Sequence, residues 1–313
     1  MKRIRTCIAV SIAAGWLLGH AAPSLSAGEP PWQKMIEEFA DPNRMFERLF
    51  GEETEQDRQA LAQIEVSARE ERQMGQQAVE AYLASLRQQG IRVVTRGKEV
   101  TYLRDLVDTI RPLMSQPRRY RTIRIYLAQS SRCDARSFPG GSLVFFRGLL
   151  ENAGSEAAVV GIVGHELSHL DRGHHLWRAR RLKLAQQTFS GQMGKFSPQQ
   201  FFTSGTTIAR LWTRPFRPEF EAEADRDGAT WAYRAGYDPR EMGELFLKLR
   251  RQRPENPIPL PSFMQSHPPA EDRHREILAV YEKLQQAEPN AKPYIGRENL
   301  RRQIARSRRV YPE

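Results

Sequence analysis

Two short segments constrain the fold of this chain most: H-E-L-S-H at residues 165–169 and E-A-E-A-D at residues 221–225. Residues at positions i and i+4 of a helix lie one turn apart on the same side, with Cβ atoms about 5–6 Å apart. The imidazoles of His165 and His169 can therefore bind one Zn²⁺ ion at about 2.0–2.1 Å. Glu166 lies between them, placed to polarise a metal-bound water as in a metallopeptidase.

The segment that carries the two histidines has the apolar period of a helix. It contains no proline from residue 156 to residue 174. Its apolar residues recur every three or four positions, at Val160, Val163, Leu167 and Leu170. His165 and His169 lie about 200° around the helix from this stripe, so the stripe is predicted to face a core and the histidines a cleft. The alternative is a pair of histidines that are solvated or satisfied inside a core.

The second segment places Glu221 and Asp225 one turn apart on another predicted helix, residues 219–235. Gly228 and Ala232 share their face and permit the close approach of a neighbouring helix. One carboxylate can bind the metal, and the other can accept the free ring N–H of a ligating histidine, which fixes its tautomer. The alternative is a solvated acidic face, to which three nearby residues would belong: Glu219, Glu223 and Asp227.

Taken together, these motifs resemble the gluzincin metallopeptidases of the HtpX, BepA and CAAX prenyl protease type. The resemblance spans residues 67–283. Four further elements carry it: Pro139-Gly140-Gly141, the G-L-L at residues 148–150, His267-Pro268 with Arg273, and Glu70 with Gly75.

The chain departs from this family at two places. Asp134-Ala135-Arg136 stands where the family usually has Asn-Ala-Phe, and Arg217-Pro218 replaces a Ser-Arg pair upstream of the glutamate ligand. Neither change removes a metal ligand, and both bear on substrate preference.

The resemblance implies an α+β, mainly helical zincin-like domain in which a small mixed sheet lines the active-site cleft. It implies one Zn²⁺ per chain, held by His165, His169 and Glu221, with water in the fourth position of a catalytic site. Glu166 would act as general base and then return the proton to the leaving amine. Asp225 would orient a ligating histidine.

Four other residues are candidates for substrate binding or regulation. Gly140 and Gly141 precede a predicted strand at residues 142–147, and a short edge strand there would pair with an extended substrate. His267 would occupy the fourth zinc position and hold the enzyme latent; the alternative is that it packs or hydrogen-bonds within its loop. With Arg273, it is also a candidate for stabilising the oxyanion.

The first 27 residues have the pattern of a secretory signal peptide, with a basic start, an apolar stretch at residues 8–18 and small residues up to Ala27. An uncleaved amphipathic anchor is the alternative. The sequence therefore predicts an exported protein, periplasmic or otherwise extracytoplasmic and soluble after cleavage. Cys133 is the cysteine left after cleavage, so neither a disulfide framework nor a cysteine zinc site is expected.

The remaining chain divides into three predicted regions. Residues 28–66 form a lead and the start of a first long helix, and residues 67–288 form the metallopeptidase domain. This domain contains a lid-like insertion at 176–218 with interleaved glycines and aromatic residues. Residues 289–313 form a basic tail.

The formal net charge is +11 at pH 7. Such basicity favours either nucleic acid or an anionic membrane surface as a partner. No nucleic-acid-binding motif accompanies it. The charge therefore favours a solvated basic face, with peripheral contact to an anionic membrane surface. The resemblance implies unfolded polypeptide substrates as partners.

The resemblance favours a zinc endopeptidase that hydrolyses misfolded or unassembled envelope proteins. One alternative is a periplasmic chaperone or assembly factor that uses the same cleft mainly to bind client chains. A basic surface-binding module with an idle metal site is a third interpretation, which the intact ligand set disfavours.

Overall fold

A computed structural model describes residues 54–192, 212–252, 261–265 and 269–313, all within the unit Phe46–Glu313. Several predictions fall outside these ranges: the signal peptide, His267 and the middle of the insertion. They stay predictions.

The described residues confirm an α+β, mainly helical fold with one small sheet. The helices are α1 Glu55–Ala62, α2 Ala68–Gln88, α3 Lys98–Ile110, α4 Arg147–Asn152, α5 Glu156–Asp171, α6 His174–Gln192, α7 Pro218–Arg234, α8 Arg240–Arg251, α9 Ser262–Gln265, α10 Ala270–Ala287 and α11 Arg297–Arg302. A 3₁₀ turn, Arg111–Leu113, follows α3. The strands are β1 Val93–Val94, β2 Arg124–Ala128, β3 Ala135–Phe138 and β4 Ser142–Phe146. Among these helices, none is both long and apolar enough to cross a membrane.

The sheet has the order β1-β2-β4-β3. Strand β4 pairs in parallel with β2 and antiparallel with β3, so it lies in the interior of the sheet, and all five of its residues are buried. The prediction that the strand after Gly140-Gly141 pairs with substrate is therefore wrong, because both edges of β4 are already used. The edge strand on this side of the sheet is β3, a strand that the sequence analysis missed.

The turn between β3 and β4 is built on two glycines, Gly140 at φ +73° and Gly141 at φ +83°. Glu71 of α2 accepts a hydrogen bond from the backbone N–H of Gly140 at 3.2 Å. Gly75, one turn further along α2, lies so close to the turn that an added Cβ would be 1.7 Å from the carbonyl oxygen of Pro139. The glycine of the E-x-x-x-x-G element is thus required by the contact between α2 and the hairpin.

The first long helix predicted from the sequence is two helices, α1 and α2. Thr54 and Ser67 each begin a helix with a reciprocal capping box, the second formed with Glu70. Such boxes satisfy two backbone N–H groups that would otherwise lack partners. The pattern of helix-forming residues does not reveal this break, because residues 63–67 contain neither glycine nor proline.

Helix α5, which carries the two histidines, is buried along its whole length. Ser155 caps its first turn, and Gly173, at φ +76°, follows its end and begins the change of direction into α6. The sequence predicts one face of α5 against a core and the other against an open cleft. The first part is correct, but the face that carries the histidines is also buried. Core surrounds one face, and the other is covered by α7 and by residues 212–216.

The last residues of the chain pack against the start of α5. Tyr294, Leu300, Ala305 and Tyr311 belong to the buried core, although the sequence assigns residues 289–313 to a basic tail. The carboxylate of Glu156, the first residue of α5, accepts hydrogen bonds from the hydroxyl of Tyr237 at 2.7 Å and from the backbone N–H of Arg306 at 2.8 Å. This segment therefore helps to fix the start of α5, the helix that carries His165 and His169.

Candidate metal centre

Three predicted ligands meet in a buried cluster: His165 and His169 of α5 and Glu221 of α7. The two Nε2 atoms lie 3.2 Å apart. The Glu221 carboxylate lies 3.3 Å from Nε2 of His165 and 3.9 Å from Nε2 of His169. The i, i+4 spacing and the crossing of the two helices thus bring two nitrogens and one oxygen to a common point.

The arrangement fits a metal cation. Oε2 of Glu221 is buried and has no hydrogen-bond partner among the described residues. Burial lowers the pKa of His165, but its hydrogen bond with Asp225 and the nearby carboxylate of Glu221 outweigh burial and raise the pKa to about 10. The carboxylates beside His165 therefore stabilise positive charge at this ligand, whereas burial and the neighbouring His165 hold the pKa of His169 well below its ordinary value.

Asp225 holds the first histidine in place. Its Oδ1 lies 2.9 Å from Nδ1 of His165, and Arg273 donates to both of its oxygens, at 2.5 and 2.7 Å. Arg273 also donates to the carbonyl of Phe263 and lies over the ring of Phe246 at 4.1 Å. Burial raises the pKa of Asp225, but the pairing with Arg273 outweighs it and lowers the pKa below its ordinary value. These contacts place Arg273 behind Asp225, where it does not line the metal cavity.

Glu166 lines the cavity without belonging to the ligand cluster. Its Oε2 accepts a hydrogen bond from the backbone N–H of Ser137, on the edge strand β3, at 2.6 Å. Burial raises its pKa to about 7. A carboxylate with a pKa in this range can both accept and return a proton near neutral pH.

Sequence reasoning missed two histidines next to this cluster, His174 and His175. Nδ1 of His174 lies 2.8 Å from Nδ1 of His169, and Nε2 of His175 lies 3.0 Å from the hydroxyl of Ser137. The doublet was visible in the sequence, but its spacing from His169 does not correspond to one helix face. The turn at Gly173 brings both rings back to the site.

Residues 212–216, the described end of the insertion, cover the cavity. The ring of Phe216 stacks on His169 with a centroid distance of 4.1 Å. Arg178 of α6 donates to three backbone carbonyls of this segment at 3.1–3.3 Å. The cavity has a volume of about 20 Å³, room for about one water molecule.

The other residues singled out in the sequence differ in whether they line the metal cavity. Arg136, which replaces the aromatic residue usual in the family, lines the cavity and donates to the carbonyl of Thr213 at 2.5 Å. Gly140 instead lines a separate cavity with Glu71 and Arg72. The glycines of the turn therefore support β3 and do not line the metal site.

Residues 97–280 match the sequence model of Peptidase family M48. This range includes every residue of the metal cluster together with Glu166, Asp225 and Arg273. The chain belongs to peptidase family M48. The resemblance stated from the motifs is thereby confirmed, and with it the prediction of a metalloendopeptidase.

Named relatives agree with this membership. The chain is 31% identical over 158 residues to the beta-barrel assembly-enhancing protease of Yersinia pestis and 30% identical over 158 residues to that of Escherichia coli K12. It is 29% identical over 168 residues to the mitochondrial metalloendopeptidase OMA1 of Arabidopsis thaliana. The matches cover 47–49% of this chain and 32% of each relative, so the chain spans about a third of the curated relatives it matches.

Proposed function

We propose that this chain is a zinc-dependent endopeptidase in which Glu166 acts as the general base. The observation that carries the proposal is the convergence of His165, His169 and Glu221 beside an unligated carboxylate whose pKa is raised to about 7. Two histidines and a glutamate are a ligand set of catalytic zinc sites. Zn²⁺, when bound, supplies a polarised water and a Lewis acid for the peptide carbonyl.

The residues of the chain account for the proton transfers. Glu166 takes a proton from the attacking water and returns it to the leaving amine. The backbone N–H of Ser137 holds the Glu166 carboxylate in orientation through the 2.6 Å hydrogen bond. Asp225 holds His165 with its Nε2 toward the cluster, while Arg273 acts through Asp225.

We propose misfolded or unassembled polypeptides of the envelope as substrates. The name of two relatives, beta-barrel assembly-enhancing protease, supports clients that have not yet assembled. Export through the predicted signal peptide and peripheral contact of the basic surface with anionic lipid belong to the same proposal.

A folding or assembly factor is the second candidate. One observation favours it: residues 212–216 cover the cavity, and the space left holds about one water molecule. With this segment in place, the space beside Glu166 is smaller than an extended peptide. A chain that binds clients and keeps this cover would hold them without hydrolysis.

The deciding experiment compares the wild-type chain, Glu166→Gln and the control Glu219→Gln, which makes the same change at an exposed position. Cleavage of a permanently unfolded protein is followed together with bound zinc. Cleavage by the wild type and the control, with none by zinc-loaded Glu166→Gln, supports the proposal. Equal client binding by all three without cleavage would favour the assembly factor. Zinc without binding or cleavage would indicate an idle site.

A further inference from the structure

His174 links a metal ligand to a carboxylate on the neighbouring helix. Its Nδ1 lies 2.8 Å from Nδ1 of His169, and its Nε2 lies 3.1 Å from Oε2 of Glu223. We propose that His174 and Glu223 form a hydrogen-bonded relay that positions His169 and fixes its tautomer for metal binding. The inference rests on the metal site of the proposed function.

The chemistry of the three groups allows one arrangement with metal bound. Glu223, as a carboxylate, only accepts, so His174 carries a proton on Nε2. Two ring nitrogens at hydrogen-bond distance need one donor and one acceptor. If His169 donates from Nδ1, its unprotonated Nε2 faces Glu221 and His165. If His174 donated instead, His169 would hold its proton on Nε2 and could not bind the metal there.

The packing holds His174 in the orientation that the relay needs. Gly173 turns the chain between α5 and α6, so that His174 begins the new helix beside the last turn of α5. Its ring stacks on Phe220 of α7 with a centroid distance of 4.3 Å and an interplanar angle of 6°. The His174 side chain is 3% exposed and that of Glu223 is 40% exposed, so the ring is shielded from water while the carboxylate stays in contact with it.

The geometry of α7 explains why an intermediary is needed. Glu221 and Asp225 share one face of the helix, whereas Glu223 lies about 200° around from Glu221 at 3.6 residues per turn. Glu223 therefore does not contact the ligating histidines directly. The His174 ring lies between Glu223 and His169 and contacts both. Of the three acidic residues in the E-A-E-A-D segment, Glu221 is thus a ligand, Asp225 pairs with His165 and Glu223 pairs with His174.

The relay is the counterpart of the pairing at the other ligand. His165 donates its Nδ1 proton to Asp225, whose second partner is Arg273, while His169 uses His174, whose second partner is Glu223. Carboxylates and other acceptors behind a ligating histidine raise its basicity, and their loss weakens metal binding about 10–100-fold.

Zinc affinity of the full chain, measured by competition with a chelator, tests the relay. In His174→Leu, which has no acceptor, affinity should fall about 10–100-fold. His174→Gln restores an acceptor oxygen and should recover most of the loss. Glu223→Gln should weaken binding, and Glu219→Gln, the same change on an exposed part of α7, should not. A purely structural role would lower thermal stability without this order of affinities.

Equal zinc affinity in His174→Leu and the wild type would overturn the relay, as would equal losses in His174→Leu and His174→Gln. Failure of the wild type to bind zinc would instead overturn the proposed function. If the leucine variant does not fold, imidazole NMR of the zinc-loaded wild type decides. A proton on Nδ1 of His169 with coupling to Nδ1 of His174 supports the relay, and a proton on Nε2 of His169 refutes it.

Discussion

Gly164 of α5 and Gly228 of α7 face each other where the two helices cross, and a Cβ added to Gly164 would lie 2.8 Å from the Cα atom of Gly228. A Cβ added to Gly228 would lie 2.7 Å from the carbonyl oxygen of Gly161 and 2.9 Å from the backbone nitrogen of His165. Because these neighbours are backbone atoms, they cannot rotate away. The two glycines therefore set the distance between the ligands on the two helices.

The substitution Gly228→Ala is expected to push α7 away from α5. The overpacked crossing should lower the free energy of unfolding by about 1–3 kcal/mol. Zinc affinity should fall as well, because Glu221 moves with α7. Denaturant unfolding and chelator competition measure the two effects. Thr230→Ala, on the same helix but outside the crossing, is the control. Wild-type zinc affinity in a folded Gly228→Ala variant would contradict this account of the crossing.

Removal of the carboxylate behind His165 should weaken the site without abolishing it. Asp225→Ala leaves Nδ1 of His165 and the guanidinium of Arg273 without their shared partner, so metal affinity should fall about 10–100-fold. Asp272→Ala removes a carboxylate from an exposed pair on α10 and is the matched control. An Asp225→Ala variant that binds zinc like the wild type would show that His165 needs no such support.

Contact with the hairpin turn makes Gly75 more sensitive than a glycine in open space. Gly75→Ala would place a Cβ 1.7 Å from the carbonyl oxygen of Pro139, so it should destabilise the fold by at least about 3 kcal/mol. Gly90→Ala meets no atom within 4 Å and should cost only the strain of its positive φ, about 1–2 kcal/mol. Equal losses in the two variants, measured by denaturant unfolding, would argue against this contact.

Burial raises the pKa of Glu156 above its ordinary value of 4.5. A carboxyl whose pKa is higher in the folded protein stabilises it in the protonated form. This contribution is complete below about pH 4.5 and is lost as the pH rises through the folded-state pKa. Glu156→Gln stays neutral and keeps an acceptor for Tyr237, so its stability relative to the wild type should increase as the pH rises above about 4.5. Glu151→Gln, an exposed control on α4, should show no such trend. A difference that does not change with pH would refute this assignment.

The metal cluster was predictable from the sequence because its geometry follows from helix spacing. His165 and His169 lie one turn apart on any α-helix, and so do Glu221 and Asp225. The small residue Gly228 on the same face indicated a close helix crossing, which the structure shows. These features needed only the helical period and the chemistry of the side chains.

The missed features depend on contacts between distant parts of the chain. Strand β3 has four residues and no alternating pattern, and it is recognisable only through its pairing with β4. His174 reaches His169 because α5 ends before Gly173, which the apolar stripe does not reveal. Phe216 covers the cavity through a contact with α6 that no local pattern encodes.

Metal analysis of Glu221→Ala tests the central claim most directly. The wild type and Glu166→Gln should each contain one zinc per chain, because Glu166 transfers protons and is not a ligand. Glu221→Ala should contain none after the same purification, while the exposed control Glu219→Ala should remain fully loaded. One zinc per chain in Glu221→Ala would contradict the assignment of the third ligand and the site built on it.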